Sequence, residues 1–167
     1  MTEDQKWMME ALKLAEEAMQ DEEVPVGAVI VRDGEIIARG RNQKEKGKNP
    51  IYHAEMMAID QACKRLGGWR LMGCTMYVTL EPCPMCAGAI ISARLPRLVI
   101  GADDPKMGGC GSVVNICQNE GFNHEVDISR GVLAEESTEL LQTFFQGLRV
   151  RMKEKAKRRK ETAKLEE

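Results

Sequence analysis

The chain has 167 residues, of which 43% are hydrophobic and 30% charged, and its net charge is -2. That size and balance fit one globular domain whose core needs no disulfide staples, and they exclude a disordered chain. A slightly acidic mean also argues against a nucleic-acid binder, but the mean conceals an asymmetry: residues 1–23 sum to -6 and residues 149–164 to +7.

Taken in chain order, Trp7, Met8, Ala11, Leu12, Ala15, Ala18 and Met19 recur at steps of three and four, the apolar face of a helix that Pro25 closes. Residues 24–31 read as a strand, Asp33-Gly34 as a hairpin turn, and residues 35–40 as the partner strand. Residues 42–50, rich in Lys, Gly and Asn, read as a loop. A second helix is predicted from about His53 to Arg65, stopped by Gly67-Gly68. Residues 74–80 are β-branched and aromatic enough for a strand, which Glu81-Pro82 ends. A third helix follows through Met85 to Ala93, and residues 97–102 form another strand. Asp103 to Ser112 is a Gly-rich loop, residues 125–129 a last strand, and Leu140, Leu141, Phe144, Phe145, Leu148 and Met152 mark a long C-terminal helix. A hairpin followed by alternating helix and strand predicts a single α/β domain with a mixed sheet covered on both faces.

No run approaches about 18 consecutive apolar residues, so no membrane span is expected. The N-terminal segment is acidic and amphipathic, unlike a secretory signal, and a cytoplasmic location is expected. Six cysteines in such a chain suggest metal or catalytic use more than disulfides. Cys83 and Cys86 are the pair with an informative spacing. Two thiolates three positions apart at a helix start can reach one ion, and the positive end of the helix favours their ionised form. His53, opening another helix, offers a third ligand. An N, S, S set suits zinc, and three protein ligands with a fourth position open is the catalytic arrangement. Glu55 lies close to the same point and can carry a proton between water and a substrate nitrogen.

Each piece taken singly has an ordinary explanation. CxxC occurs in redox motifs, a His before a helix caps or packs, and an acid in a first helical turn answers the dipole. Cys63 and Cys74 read as packed thiols, Cys110 and Cys117 either as packed thiols or as a fourth metal ligand, and His124 as structural. The joint occurrence of His53-Ala54-Glu55 and Pro82-Cys83-Pro84-Met85-Cys86 is what points to a zinc site.

H-x-E together with P-C-x-x-C is the signature of the zinc deaminases of nucleobases. The likeness extends through EVPVGAVIV, HAEMMAI, MYVTLEPCPMCAGAII, CGSVVN, FNHEV and GVLAEE followed by LLQTFF. From about Trp7 to Arg149 the chain resembles the bacterial tRNA adenosine deaminases of the cytidine deaminase superfamily. The resemblance implies a three-layer α/β/α fold on a mixed five-stranded sheet. It also implies a deaminase domain over residues 1–150, with residues 151–167 as a basic helical tail. The implied reaction is hydrolytic deamination of adenosine to inosine at the wobble position of a tRNA anticodon, by a homodimer with one zinc ion per subunit. It makes His53, Cys83 and Cys86 the zinc ligands and Glu55 the general acid and base. Asn42 would hold the flipped base, Ala54 and Pro82 would supply backbone groups beside the metal, and Asp104 would lie near the target sugar. Phe144, Phe145 and Arg149 would line the RNA side.

Ile51 and Tyr52 before the histidine, Asp103 in place of an arginine, and Met107 and Cys110 in place of small residues depart from the family pattern. Two other functions compete. A free nucleobase or nucleoside deaminase would share the chemistry, and Tyr52 as a bulky cover over the pocket would favour it. A structural zinc module would need four ligands and no role for Glu55.

Overall fold

The structure, a computed structural model, describes residues 1–166. Its elements are α1 (Glu3–Gln20), β1 (Gly27–Arg32), β2 (Glu35–Arg41), α2 (Lys44–Gly47), α3 (Ala54–Leu66), β3 (Cys74–Leu80), α4 (Pro84–Ser92), β4 (Arg97–Ala102), β5 (Asp127–Ser129) and α5 (Ala134–Leu165). The five strands form one sheet in the order β2-β1-β3-β4-β5. β1 runs antiparallel to β2 and β3, and β4 runs parallel to β3 and β5, so the sheet is mixed as expected.

The period-2 alternation of the strands separates two cores. Ala28, Ile30, Met76, Val78, Leu98 and Ile100 face Ala54, Ala58 and Ala62 of α3 and Ala87 and Ile90 of α4. Val29, Val31, Tyr77 and Val99 face Trp7, Met8, Ala11 and Leu12 of α1, with Leu133, the N-cap of α5, and Leu140 within it packed alongside. The expected α/β/α layering follows from that division. Among the described residues no helix is long and apolar enough to cross a membrane.

Local chemistry sets the element ends. Thr2 caps α1: its hydroxyl accepts from the Gln5 N–H at 3.1 Å while its own N–H donates to the Gln5 side chain at 2.9 Å, a reciprocal capping box. The β1–β2 turn holds Asp33 and Gly34 at φ 51° and 75°, the left-handed pair that a two-residue hairpin requires. Gly40 matters most for the site. A Cβ there would sit 2.0 Å from the Ala54 carbonyl oxygen, so its hydrogen lets the first turn of α3 rest directly on β2.

Four boundaries differ from the sequence reading. α1 stops at Gln20 rather than at Pro25, because the chain turns at Glu22 with φ 60°. β1 starts at Gly27 rather than Val24, and Pro25 has no N–H to offer a ladder. β5 is only three residues long. The polar loop after β2 contains the short helix α2, because the buried Glu23 carboxylate accepts from the Glu45 and Lys46 N–H groups at 2.9 and 2.8 Å. The capping acid lies more than twenty residues upstream, where no local pattern reveals it.

The start of α1 is tied to the sheet by an ion pair. Arg97 grips Asp4 with two bonds of 2.9 and 2.7 Å, and the Tyr77 hydroxyl donates to the same carboxylate at 3.0 Å. The bond from Arg97 is the largest cause holding the Asp4 carboxyl below its ordinary value. A depressed carboxyl stabilises the fold above its unfolded value and loses that contribution as pH falls through the folded one. Asp4→Asn is therefore expected to cost about 1–2 kcal/mol at pH 7. The gap to the parent protein should close as pH falls below about 4, which urea unfolding at pH 7 and at successively lower pH will read.

Candidate metal centre and active site

α3 and α4 both begin at one end of the sheet, and their first residues meet there. His53 is the N-cap of α3, Cys83 is the N-cap of α4, and Pro84 holds the first position of α4 with the φ a helix needs. Cys86 follows in the first turn of α4. His53 Nδ1 lies 3.7 Å from Cys83 Sγ and 3.6 Å from Cys86 Sγ. Metal–sulfur bonds of about 2.3 Å and a metal–nitrogen bond of about 2.1 Å in a tetrahedron put nitrogen and sulfur about 3.6 Å apart. Both nitrogen–sulfur separations therefore match a tetrahedral ion, and all three donor atoms lie within 4.8 Å of one another. Among the described residues they are the group of donors close enough to share one.

Electrostatics at this point favour a thiolate. Its hydrogen bond from Cys86, aided by His53, pulls the Cys83 thiol down to about 4, while Cys86, giving its proton to that bond in a buried position, is raised. The bond to Cys83 raises His53. Glu55, two residues into α3, is buried, and burial pushes its carboxyl up to about 7. A group poised there can accept or donate a proton near neutral pH.

These residues open into a cavity of about 410 Å³, lined by Val24, Val26, Asn42, Lys44, Pro50, His53, Ala54, Glu55, Leu80, Glu81, Cys83, Asp104 and Met107. Asn42 stands at the end of β2, and its buried side-chain oxygen has no hydrogen-bond partner. An orphaned acceptor in a cavity wall is the mark of a group that meets its partner in a ligand. Asp104 turns one carboxylate oxygen onto the Lys106 and Met107 N–H groups at 3.0 and 3.1 Å, which shapes the loop around the cavity mouth.

The structure thus brings together His53, Ala54, Glu55, Cys83, Cys86, Asn42 and Asp104. Pro82, Phe144, Phe145 and Arg149 are not in the cavity lining. The Pro82 carbonyl accepts from the Gly109 N–H. Phe144 is buried and packs edge-on against the partly exposed Phe145, and Arg149 is exposed on α5. Tyr52 is also absent from the lining: its ring lies where a Cβ on Gly47 would be, so it packs under α2. Cys110 and Cys117 lie against each other, buried, with sulfurs 3.5 Å apart. The Nε2 of His124 bonds the Leu95 carbonyl at 2.8 Å, a structural role.

One residue that organises the site was not singled out by its motif. Glu81 reads in sequence as the end of a strand, yet its side chain is fully buried and collects donors from three segments. The Asp104, Cys110 and Ser112 N–H groups donate to it at 3.1 Å each, the Ser112 hydroxyl donates as well, and Arg130 reaches it at 2.8 Å. Burial works to raise this carboxyl, but the combined bonds hold it below its ordinary value. Arg130 also pairs with Asp103 at 2.7 Å, so the departure at 103 is answered inside the protein. Gly108 passes so close that a Cβ would sit 2.3 Å from Glu81. The whole 103–112 loop, one wall of the cavity, therefore hangs on the residue two before Cys83. The one sequence signal available was an acid between a strand and a proline. Its partner Arg130 is 49 residues away.

Residues 2–149 match the family of MafB19-like deaminases. The chain is 52% identical over 153 residues to the tRNA-specific adenosine deaminase of Bacillus subtilis (strain 168), covering 92% of this chain and 95% of that one. A solved structure of a tRNA:A34 deaminase, studied for A-to-I editing at the wobble position, superposes with a TM-score of 0.79 at 44% identity. It covers 81% of this chain and 99% of its own. A guanine deaminase structure from Bacillus subtilis superposes with a TM-score of 0.59 at 42% identity, over 62% of this chain and 66% of its own.

Replacing Glu81 by Gln removes the charge that gathers these donors and leaves Asp103 as the acidic partner of Arg130. The expected cost is about 2–3 kcal/mol of stability. Amide hydrogen exchange at Cys110 and Ser112 should accelerate well beyond that of the β3 and β4 amides. Equal acceleration throughout the sheet would count against a local anchoring role.

Proposed function

The chain belongs to the deaminase family that includes the tRNA-specific adenosine deaminases, and from that premise we propose that it converts adenosine to inosine at the wobble position of a tRNA anticodon. The observation that carries the reading is one cavity that joins a zinc-compatible donor set, a buried carboxylate tuned to about 7 and an unpaired amide oxygen. The reaction takes up water, forms a bond from oxygen to C6, breaks the bond from C6 to the exocyclic nitrogen, and releases ammonia.

His53, Cys83 and Cys86 would hold one zinc ion per subunit. When bound, zinc supplies a Lewis acid that lets water lose a proton near neutral pH. Glu55 would take one proton from the attacking water and deliver it to the ring nitrogen beside C6, then take the remaining proton from the oxygen bound to C6 and give it to the amino group, which leaves as ammonia. Its burial matches this duty, since a carboxyl of ordinary acidity would hold the proton too weakly at pH 7. Asn42 meets a polar edge of the base with its unpaired oxygen, and Ala54 lines the cavity beside the reacting carbon, while Pro82 stands behind the lining with its carbonyl bonded to the Gly109 N–H. The base reaches this depth only when extruded from its stack, which is cheapest in a single-stranded loop. Asp104 would then lie beside the sugar, with Phe144, Phe145 and Arg149 of α5 toward the RNA. The protein would act as a homodimer in the cytoplasm.

The 42% identity to a guanine deaminase keeps a free-base reading in view. The position of Tyr52 under α2 removes the cover over the pocket that favoured it. The two separate in one assay. Purified protein is expected to form inosine in a tRNA carrying an anticodon-loop adenosine and to release no ammonia from free guanine or cytosine. The opposite pattern would install the free-base reading. Glu55→Gln is expected to retain zinc by metal analysis and lower turnover by a factor of at least about 10³, whereas Cys86→Ser should lose the metal. Full turnover in the Glu55 variant would remove Glu55 from the mechanism.

A further inference from the structure

α5 runs 32 residues, and only its first half packs on the body. From Arg149 to Glu166 every residue is exposed. The match to the deaminase family stops at residue 149, and the aligned tRNA:A34 deaminase structure reaches only 81% of this chain. The second half of α5 therefore covers no core and lies beyond the residues that the family model matches. What it presents is charge, nine bases against two acids between residues 149 and 164.

That charge is ordered. At about 100° per residue, Arg149, Lys153, Lys157, Lys160 and Lys164 fall within an arc of about 80°, a row about 22 Å long. No acid lies in the arc, and Glu154 and Glu161 sit beside it. Arg151, Lys155, Arg158 and Arg159 form a shorter row on the far side, continuing the face that Leu140, Phe144 and Leu148 turn to the body. Among the described residues none of these nine cations forms an ion pair. Like charges three and four positions apart destabilise a helix, and a row of phosphates would relieve that repulsion while releasing counterions. The helix lacks the broad apolar face with large anchors that would lay it on a membrane, since Val150, Met152 and Leu165 point in different directions.

We propose that the row from Arg149 to Lys164 is a second RNA-binding element, a rigid basic rod that grips the phosphate backbone of the tRNA outside the loop carrying the reacting base. The proposal rests on the tRNA reading above. It adds affinity without touching the chemistry, and it supplies a local basic surface on a chain whose net charge is -2.

The test compares two variants with equal loss of charge, leaving Arg149 intact. One is K153Q/K157Q/K160Q/K164Q and the other is R151Q/K155Q/R158Q/R159Q. Each is assayed for tRNA turnover, and for tRNA binding by fluorescence anisotropy between 50 and 200 mM salt. The first variant is expected to keep zinc, helicity and kcat at saturating tRNA, and to raise KM and Kd at least about tenfold. Its salt slope should be shallower by about 3, the value for four lost phosphate contacts. The second variant should lose at most about a third as much affinity. Equal losses in both, or no loss in either, would overturn the row as a site. So would binding to phosphatidylserine vesicles that the first variant abolishes while tRNA affinity stays unchanged. If the parent protein binds tRNA in a row-dependent way yet forms no inosine, the deamination reading fails and the row stands. If inosine forms and the first variant matches the parent, the row fails and the reading stands.

Discussion

Everything at the site depends on two helix N-termini being brought to one point at the end of the sheet. His53 and Cys83 are not carried by the helices in the ordinary sense. Each is the cap residue, extended in backbone, from which its helix departs. A donor at that place is held by the strand or loop behind it and by the helix ahead of it, and it feels the positive end of the helix. The close approach at Gly40 sets the height of α3 above the sheet. The end of β3 sets the place of α4. With both set, the His53 nitrogen falls at tetrahedral separation from each of the two sulfurs.

The cavity wall opposite is irregular chain, and irregular chain must find partners for its N–H groups. Glu81 supplies them. A buried carboxylate is costly unless donors surround it. Here the donors are the loop itself, with Arg130 closing the cluster. The loop needs the carboxylate as much as the carboxylate needs the loop, so the wall is fixed without regular secondary structure. Because Glu81 is two residues from Cys83, the same stretch of chain holds the metal side and the substrate side in register.

Charge is distributed on a comparable logic. Half of the acids in the N-terminal segment are engaged within the body: Asp4 by Arg97, Glu17 and Asp21 by Arg41 and Lys46, and Glu23 by the start of α2. The basic segment at the other end has no such partners and projects from the fold. The net charge is thus a poor guide to what the surface offers a polyanion.

Much of this protein is legible in the amino-acid order. Short β-branched and apolar runs reveal β1, β3 and β4, which are buried on both faces, and the three-four spacing reveals α1, which buries one. His53, Glu55, Cys83 and Cys86 stand out because ligand spacing is a local property of a helix start. Asn42 and Asp104 are legible only through resemblance, since nothing near them in the chain marks them. Their place in the cavity wall comes from strand pairing. α2 capped by Glu23, Glu81 as an anchor, Tyr52 turned under α2, and Asp103 answered by Arg130 are decided by the tertiary structure alone. Each depends on a contact between residues far apart in the chain. Periodicity reports which face of an element is buried. It carries no information about which distant group arrives to satisfy a polar atom, and in this molecule those arrivals shape the cavity in which the chemistry takes place.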